Sequence, residues 1–351
     1  MADSKDNRLN ELNIAVVGAT GAVGEAMLSI LAKYGFKDAK VHAIASEKSL
    51  GKSVDFGRRS LAVDVLDDFD FKGIDFALFS AGGDTSLKYV PRAAAAGCTV
   101  IDNTSAFRMD PEIPLVVPEI NGDLLEGLGA GSIIANPNCS TIQMLVAIAP
   151  IHATAGIDRI NVATYQSVSG AGSKGMEELA RQTMDRLSFK QIKTSVFAQP
   201  IAFNAIPMID TMQDNDYTRE EMKLHWETRK ILRDESISVN ATAVRIPVFF
   251  GHSEAVHLET SRDISMDAVR EAMQQAPGLE LVKDTDPKAQ VTAVTHGAGK
   301  DAVFVSRLRR DHSHPRGINM WVVGDNVRKG AALNAVQILN MMVTGKMPVE
   351  T

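Results

Sequence analysis

Two segments of this sequence place chemically capable residues at spacings that would position them. In Asn136-Pro137-Asn138-Cys139-Ser140-Thr141 a cysteine follows an apolar strand and stands at the start of a helix predicted from Ser140 to about Ala153. A helix N-terminus offers unpaired N–H groups and the positive end of the dipole, so a thiol there ionises readily and the same groups can hold an oxyanion. Cys139 reads as a nucleophile, against the plainer reading of a buried cysteine filling a strand–helix junction. In Gly18-Ala19-Thr20-Gly21-Ala22-Val23-Gly24 the glycines lie between a predicted strand, Leu12 to Val17, and a predicted helix, Glu25 to Tyr34. A glycine turn in that context lets backbone N–H groups approach a pyrophosphate, although the spacing is GxxGxxG and the alternative is a simple tight turn. No acid caps the second strand directly. Ser46, Lys48 and Ser49 follow it and suit a 2′-phosphate, which favours NADP over NAD, with Glu47 as the contrary signal.

Other candidates are less specific on residue type alone. Arg245 lies on a predicted strand before the turn that leads to His252, and a guanidinium suits bidentate capture of a carboxylate. Glu220 and Lys223 share one helix face, which without other information reads as a solvated ion pair. His252 alone reads as a hydrogen-bonded histidine at a strand end. His257, five residues on, points to the opposite sheet face and reads as structural. Cys98 opens an apolar strand with no polar company, a packing cysteine. His312 and His314 lack the carboxylates of a metal site, so no metal is expected.

The elements that must hold these residues form an α/β pattern. Strands at Leu12–Val17, Lys40–Ala45, Phe76–Phe79, Thr99–Ile101 and Ser132–Ala135 alternate with helices, as in a doubly wound parallel sheet. After Pro137 the texture becomes α+β, with antiparallel strands expected at Ile157–Ser167, Ser238–Ile246, Ala255–Thr260 and Ala302–Leu308, and helices at Tyr217–Arg233 and Met266–Gln275. An amphipathic helix, Val327–Val343, is expected to return to the first domain. The expected domains are 1–138 with about 327–351, and about 139–326. The chain has 351 residues and a formal charge of −6, with no basic patch beyond Arg307 to Arg310, which disfavours nucleic acid. No apolar run approaches the ~20 residues that span a bilayer, and two cysteines make no disulfide framework, so a cytoplasmic protein without membrane contact is expected.

The glycine turn, the NPNCST segment and Gly251-His252-Ser253 together resemble the aspartate-β-semialdehyde dehydrogenase family, as do the segments 102–110, 165–172, 220–230 and 324–334. The resemblance covers essentially the whole chain. It implies a Rossmann-type NADP-binding domain joined to a catalytic and dimerisation domain, in a homodimer or homotetramer. It also implies reductive dephosphorylation of L-aspartyl-4-phosphate through a thioester on Cys139, in lysine, methionine and threonine biosynthesis. On that resemblance His252 is the acid/base, Gln166 orients the acyl group, Asn138 and Arg245 bind substrate, Glu220 meets the substrate ammonium, and Lys223 and Arg108 bind phosphate. Ser169, Gly170 and Asn326 flank the nicotinamide. Lys48 departs from the arginine common there. N-acetyl-γ-glutamyl-phosphate reductase shares the architecture but resembles Asn-Pro-Gly-Cys at the junction, where this chain has Asn138. A further alternative is a catalytically retired, cofactor-binding regulatory relative.

Overall fold

The computed structural model describes residues 9–283 and 290–347. The chain divides into two compact units, one running to Pro137 and resuming at Ala331, the other Asn138–Gly330.

The first unit is built on short strands that are apolar on both faces, as a sheet covered on both sides requires. β1 (Asn13–Val17) pairs in parallel with β2 (Lys40–Ala45) and β5 (Phe76–Phe79), and β6 (Thr99–Asp102) and β7 (Ile133–Ala135) continue the parallel sheet. Ile14 and Val16 pack into one core with Met27, Leu28 and Leu31 of α1 (Ala22–Lys33) and with the C-terminal helix Leu333–Thr344. Ala15 and Val17 point the other way, to a core closed by Tyr89, Val90 and Ala93 of α2 (Gly83–Ala95). The parallel strand order β2-β1-β5-β6-β7 reverses direction between β1 and β5, the place where doubly wound sheets open a ligand crevice. Two strands not anticipated from sequence, β3 (Ser53–Phe56) and β4 (Arg59–Val65), form an antiparallel hairpin at one edge.

The second unit opens with α3 (Cys139–Ala155), whose residues from Ser140 through Ile148 are all buried. It then runs through β8 (Ile157–Gln166), α4 (Gly172–Leu187), α5 (Arg219–Leu232), β9 (Ser238–Arg245) and β10 (His252–Thr260). There follow α6 (Met266–Gln275), β11 (Leu279–Leu281), β12 (Val303–Arg310) and β13 (Gly317–Gly324). The sheet order is β11-β12-β13-β10-β8-β9. It is mixed rather than antiparallel, because β8 runs parallel to β9 and β11 parallel to β12. The expected Val327–Val343 helix is also interrupted: a π turn occupies Arg328–Ala332 before the α-helix begins at Leu333.

Candidate functional site

The register of the second sheet puts the reactive side chains in one cross-strand row. Gln166 at the end of β8 pairs with Arg245 at the end of β9, and His252 at the start of β10 pairs with Gly324 at the end of β13. One step beyond the Tyr165–Ser253 pair, the same register sets Gln166 beside His252. α3 packs over this face and delivers Cys139 from its first turn. Cys139 Sγ lies 3.3 Å from His252 Nε2, although 113 residues separate the two in sequence. Two glycines permit this approach. A Cβ on Gly330 would lie 2.8 Å from the Cβ of Cys139, and one on Gly170 would lie 2.8 Å from Arg245 Nη1.

Asn138 caps α3. Its Oδ1 accepts from Ser140 N at 3.0 Å and Thr141 N at 3.3 Å, while its own backbone N–H donates to Glu227 Oε2 at 2.7 Å. The helix start therefore does not offer all its N–H groups to an oxyanion, as the sequence suggested; the side chain beside the cysteine already takes two of them. Glu220 is buried, and its Oε1 accepts from Asn138 Nδ2 at 3.0 Å and from Gln166 Nε2 at 3.1 Å. Lys223 Nζ lies 2.8 Å from Glu220 Oε2 and 2.9 Å from Asp210. Burial opposes ionisation of Glu220, but the Lys223 charge and these hydrogen bonds outweigh it and hold the carboxyl down at about 2. Arg245 Nη1 donates to the Ser167 carbonyl at 2.7 Å. His252 is fully buried, and burial together with the Arg245 charge lowers its pKa to about 3, so the ring is neutral.

Ser169 and Asn326 turn inward: Ser169 Oγ is 2.9 Å from Asn326 Nδ2, and Asn326 Oδ1 accepts from the Gly251 N–H at 3.0 Å. His257 faces away from the row and pairs with Asp311 at 2.8 Å. Sequence reasoning missed Glu227, Asp210 and Ser167, because each acts through a backbone group or a partner distant along the chain. It also passed over Glu254, two residues after His252, a fully buried carboxyl without a hydrogen-bond partner among the described residues, which burial pushes well up.

In the first unit, Gly18, Thr20, Gly21 and Ser46 line a cleft of about 610 Å³ at the carboxyl ends of β1, β2 and β5, with Ser80, Asp84, Thr85 and Lys88 opposite. The glycines suit a dinucleotide there for different reasons. Gly18 has φ +91° and a Cβ would lie 2.5 Å from the Ser80 carbonyl; on Gly24 it would lie 2.2 Å from the Gly18 carbonyl. Those two serve close packing of turn, helix and strand. A Cβ on Gly21 would meet only the Gly18 carbonyl, at 3.4 Å, so its backbone faces open space fit for a phosphate. Ala22 and Val23 are the first residues of α1, and Val23 packs on the core. Ser49 is buried with its Oγ 3.2 Å from Thr20 Oγ. Lys48 is exposed and does not line the cleft; the cation that does is Lys88, 3.3 Å from Asp67. Arg108 belongs to this unit too, buried, with Nη2 donating to the Asn103 carbonyl at 3.0 Å.

Residues 13–128 match the semialdehyde dehydrogenase NAD-binding domain, and residues 148–329 match the semialdehyde dehydrogenase dimerisation domain. The chain is 53% identical to an aspartate-semialdehyde dehydrogenase of Legionella pneumophila, over 94% of this chain and 95% of the relative. It superposes with TM-score 0.92 on aspartate semialdehyde dehydrogenase II from Vibrio cholerae, solved in complex with ASA, at 53% identity over 95% of this chain and 98% of the other. A Candida albicans aspartate semialdehyde dehydrogenase solved with NADP shares the fold, at 23% identity and TM-score 0.72, over 95% of this chain and 98% of that one. With two family models spanning most of the chain and relatives matched almost end to end, the protein belongs to the aspartate-semialdehyde dehydrogenase family.

Proposed function

We propose that the protein reduces L-aspartyl-4-phosphate to L-aspartate-4-semialdehyde, reversibly, through a thioester on Cys139. The observation that carries this reading is the 3.3 Å approach of Cys139 Sγ to His252 Nε2, in a row that also holds Gln166 and Arg245. The Cys139 thiolate adds to the acyl carbon, the C–S bond forms, and the C–O bond to phosphate breaks with its electron pair leaving on phosphate. NADPH, when bound at the glycine turn, supplies the hydride that reduces the thioester. The electron pair of the C–S bond then returns to Cys139 as the aldehyde departs. His252 is the acid/base beside the sulfur, and Gln166 orients the acyl group. Arg245 binds the α-carboxylate, and Lys223 with Arg108 binds the phosphate. Asn138 lines the substrate pocket. Ser169, Gly170 and Asn326 back the nicotinamide, and Ser46 and Ser49 serve the 2′-phosphate. Glu220, ionised and buried, selects a free ammonium, which an N-acetylated substrate lacks.

The protein is further proposed to act in the cytoplasm as a homo-oligomer; among the described residues no helix is long and apolar enough to cross a membrane. Phosphate-dependent reduction of NADP by the semialdehyde tests the reaction. Cys139→Ala should abolish it while NADPH binding, followed by fluorescence, stays close to that of the parent enzyme. Substantial turnover in that variant rejects the thioester route. Iodoacetamide should label Cys139 well before Cys98, whose thiol burial, aided by Asp75, pushes up to about 12.

A further inference from the structure

His252 Nδ1 lies 3.1 Å from the backbone nitrogen of Ser167 and 3.1 Å from its Oγ. A backbone N–H can only donate, so Nδ1 must accept. In a neutral ring the proton then sits on Nε2, the nitrogen that faces Cys139 Sγ. Ser167 is itself held from both sides. Its carbonyl takes Arg245 Nη1 at 2.7 Å, and its hydroxyl donates at 3.0 Å to Asn326 Oδ1. That same oxygen accepts from Ser169 Oγ at 3.2 Å and from the Gly251 N–H at 3.0 Å. The segments after β8, before β10 and after β13 thus converge on one buried amide.

The geometry points to Asn326 and Ser167 as a clamp that fixes His252 in the Nε2–H tautomer, so that the imidazole meets Cys139 as a hydrogen-bond donor and Arg245 balances the thiolate charge. This deepens the proposed function and rests on Cys139 being the nucleophile. Cys139 S–H gives its proton to water, because Nε2 already carries one and Nδ1 is engaged, and the sulfur left behind accepts the Nε2–H. No thiolate–imidazolium pair forms in the resting enzyme, so the acid/base role of His252 narrows to its acid side: the Nε2–H is donated toward negative charge on the sulfur, and water is the base that takes the thiol proton. Of the charged and titratable groups around the ring, Arg245 on β9 opposes a second positive charge and outweighs Glu220 on α5, which favours one but shares its charge with Lys223, and Glu254 on β10 is kept uncharged by burial. Asn326 is then a positioning residue, acting on the ring through Ser167.

The test reads the ring directly. In the resting enzyme labelled with ¹⁵N-histidine, the His252 resonances, assigned by their loss in His252→Gln, should report a neutral ring protonated on Nε2 from pH 6 to 9. A ring protonated on both nitrogens, or on Nδ1, overturns the proposal. The rate of Cys139 alkylation against pH supplies a second readout. His252→Gln keeps an N–H donor near the Nε2 position and should move the Cys139 titration by less than about 1 pH unit, whereas Arg245→Leu should raise it by about 1–3 units. The reverse pattern also overturns the proposal. Asn326→Ala should let the Nδ1–H form appear and lower kcat about tenfold with a smaller change in KM. Unchanged ring signals in that variant refute the clamp. Activity surviving in Cys139→Ala, by contrast, would reject the thioester route while leaving the tautomer measurement standing.

Discussion

A histidine kept neutral by burial leaves a mark on stability. His252 has a pKa of about 3 in the folded chain, whereas an unfolded histidine titrates near ~6.5, so between those values only the unfolded chain holds the proton. Stability from this group is complete above pH ~6.5 and is lost as pH falls below it, by about 2 kcal/mol at pH 5. Urea unfolding at pH 7.5 and pH 5.0 should show the difference, and His252→Gln should have a shallower dependence. Equal losses in both proteins would remove His252 as the source. At this scale the sequence was legible in residue type: a cysteine at a helix start and glycines after a strand announce their chemistry. What it concealed was partnership. Asn138 announces itself as the cap of α3, yet nothing in the sequence says that its own N–H is taken by Glu227, 89 residues further on. Its place after β2 suits Lys48 to a phosphate, but the 3₁₀ turn Glu47–Ser49 leaves it in solvent, and Lys88 reaches the cleft from another element.

Among the elements, α4 does more than pack. Glu178 takes the Ser195 N–H at 3.1 Å and the Ser195 hydroxyl at 2.6 Å, and Gln182 Oε1 takes the Ile201 and Ala202 N–H groups at 2.8 and 3.2 Å. The irregular stretch after α4 is thereby tied to one helix face, with Val168, Leu179, Ile201 and Ile206 as the small core beneath it. Gln182→Ala orphans two buried N–H groups, at roughly 1–3 kcal/mol each. Trypsin should then cut sooner after Lys190 or Lys193, both exposed, while the rest of the chain resists. Unaltered cleavage there would mean that the apolar contacts alone hold the stretch. α4 was not anticipated because Gly172, Gly175 and a charged surface obscure its periodicity, whereas Lys40–Ala45, Phe76–Phe79 and Met266–Gln275 read true to the residue. The β3–β4 hairpin was missed for its short strands and polar outer positions, and the parallel pairing of β8 with β9 because pairing direction leaves no trace in periodicity.

At the scale of the molecule, α3 covers one face of the second sheet, while among the described residues the other face is met near Phe304 and Val323 by the π-helical turn Ala293–Gly297. By strand alternation that face carries Ala163, Tyr165, Ala255 and Trp321, each half-buried, with Ala255 paired to both Ala163 and Trp321 and the Tyr165 and Trp321 ring centroids 5.6 Å apart. If this face joins two copies, sedimentation velocity should show a dimer that Ala255→Arg converts to monomer; an Ala255→Arg protein sedimenting as before would place the contact elsewhere. The fold class was the most legible property of all, since strand, glycine turn and helix recur at the spacing of a doubly wound sheet. The core around β1 and α1 includes Leu333, Val336, Ile338 and Leu339 of the C-terminal helix, whereas the second unit is one uninterrupted stretch. During vectorial synthesis the unit that emerges first from the ribosome must wait, one face of its sheet covered by α1 but not yet by the C-terminal helix, until that last helix arrives. The unit translated in the middle can close before it.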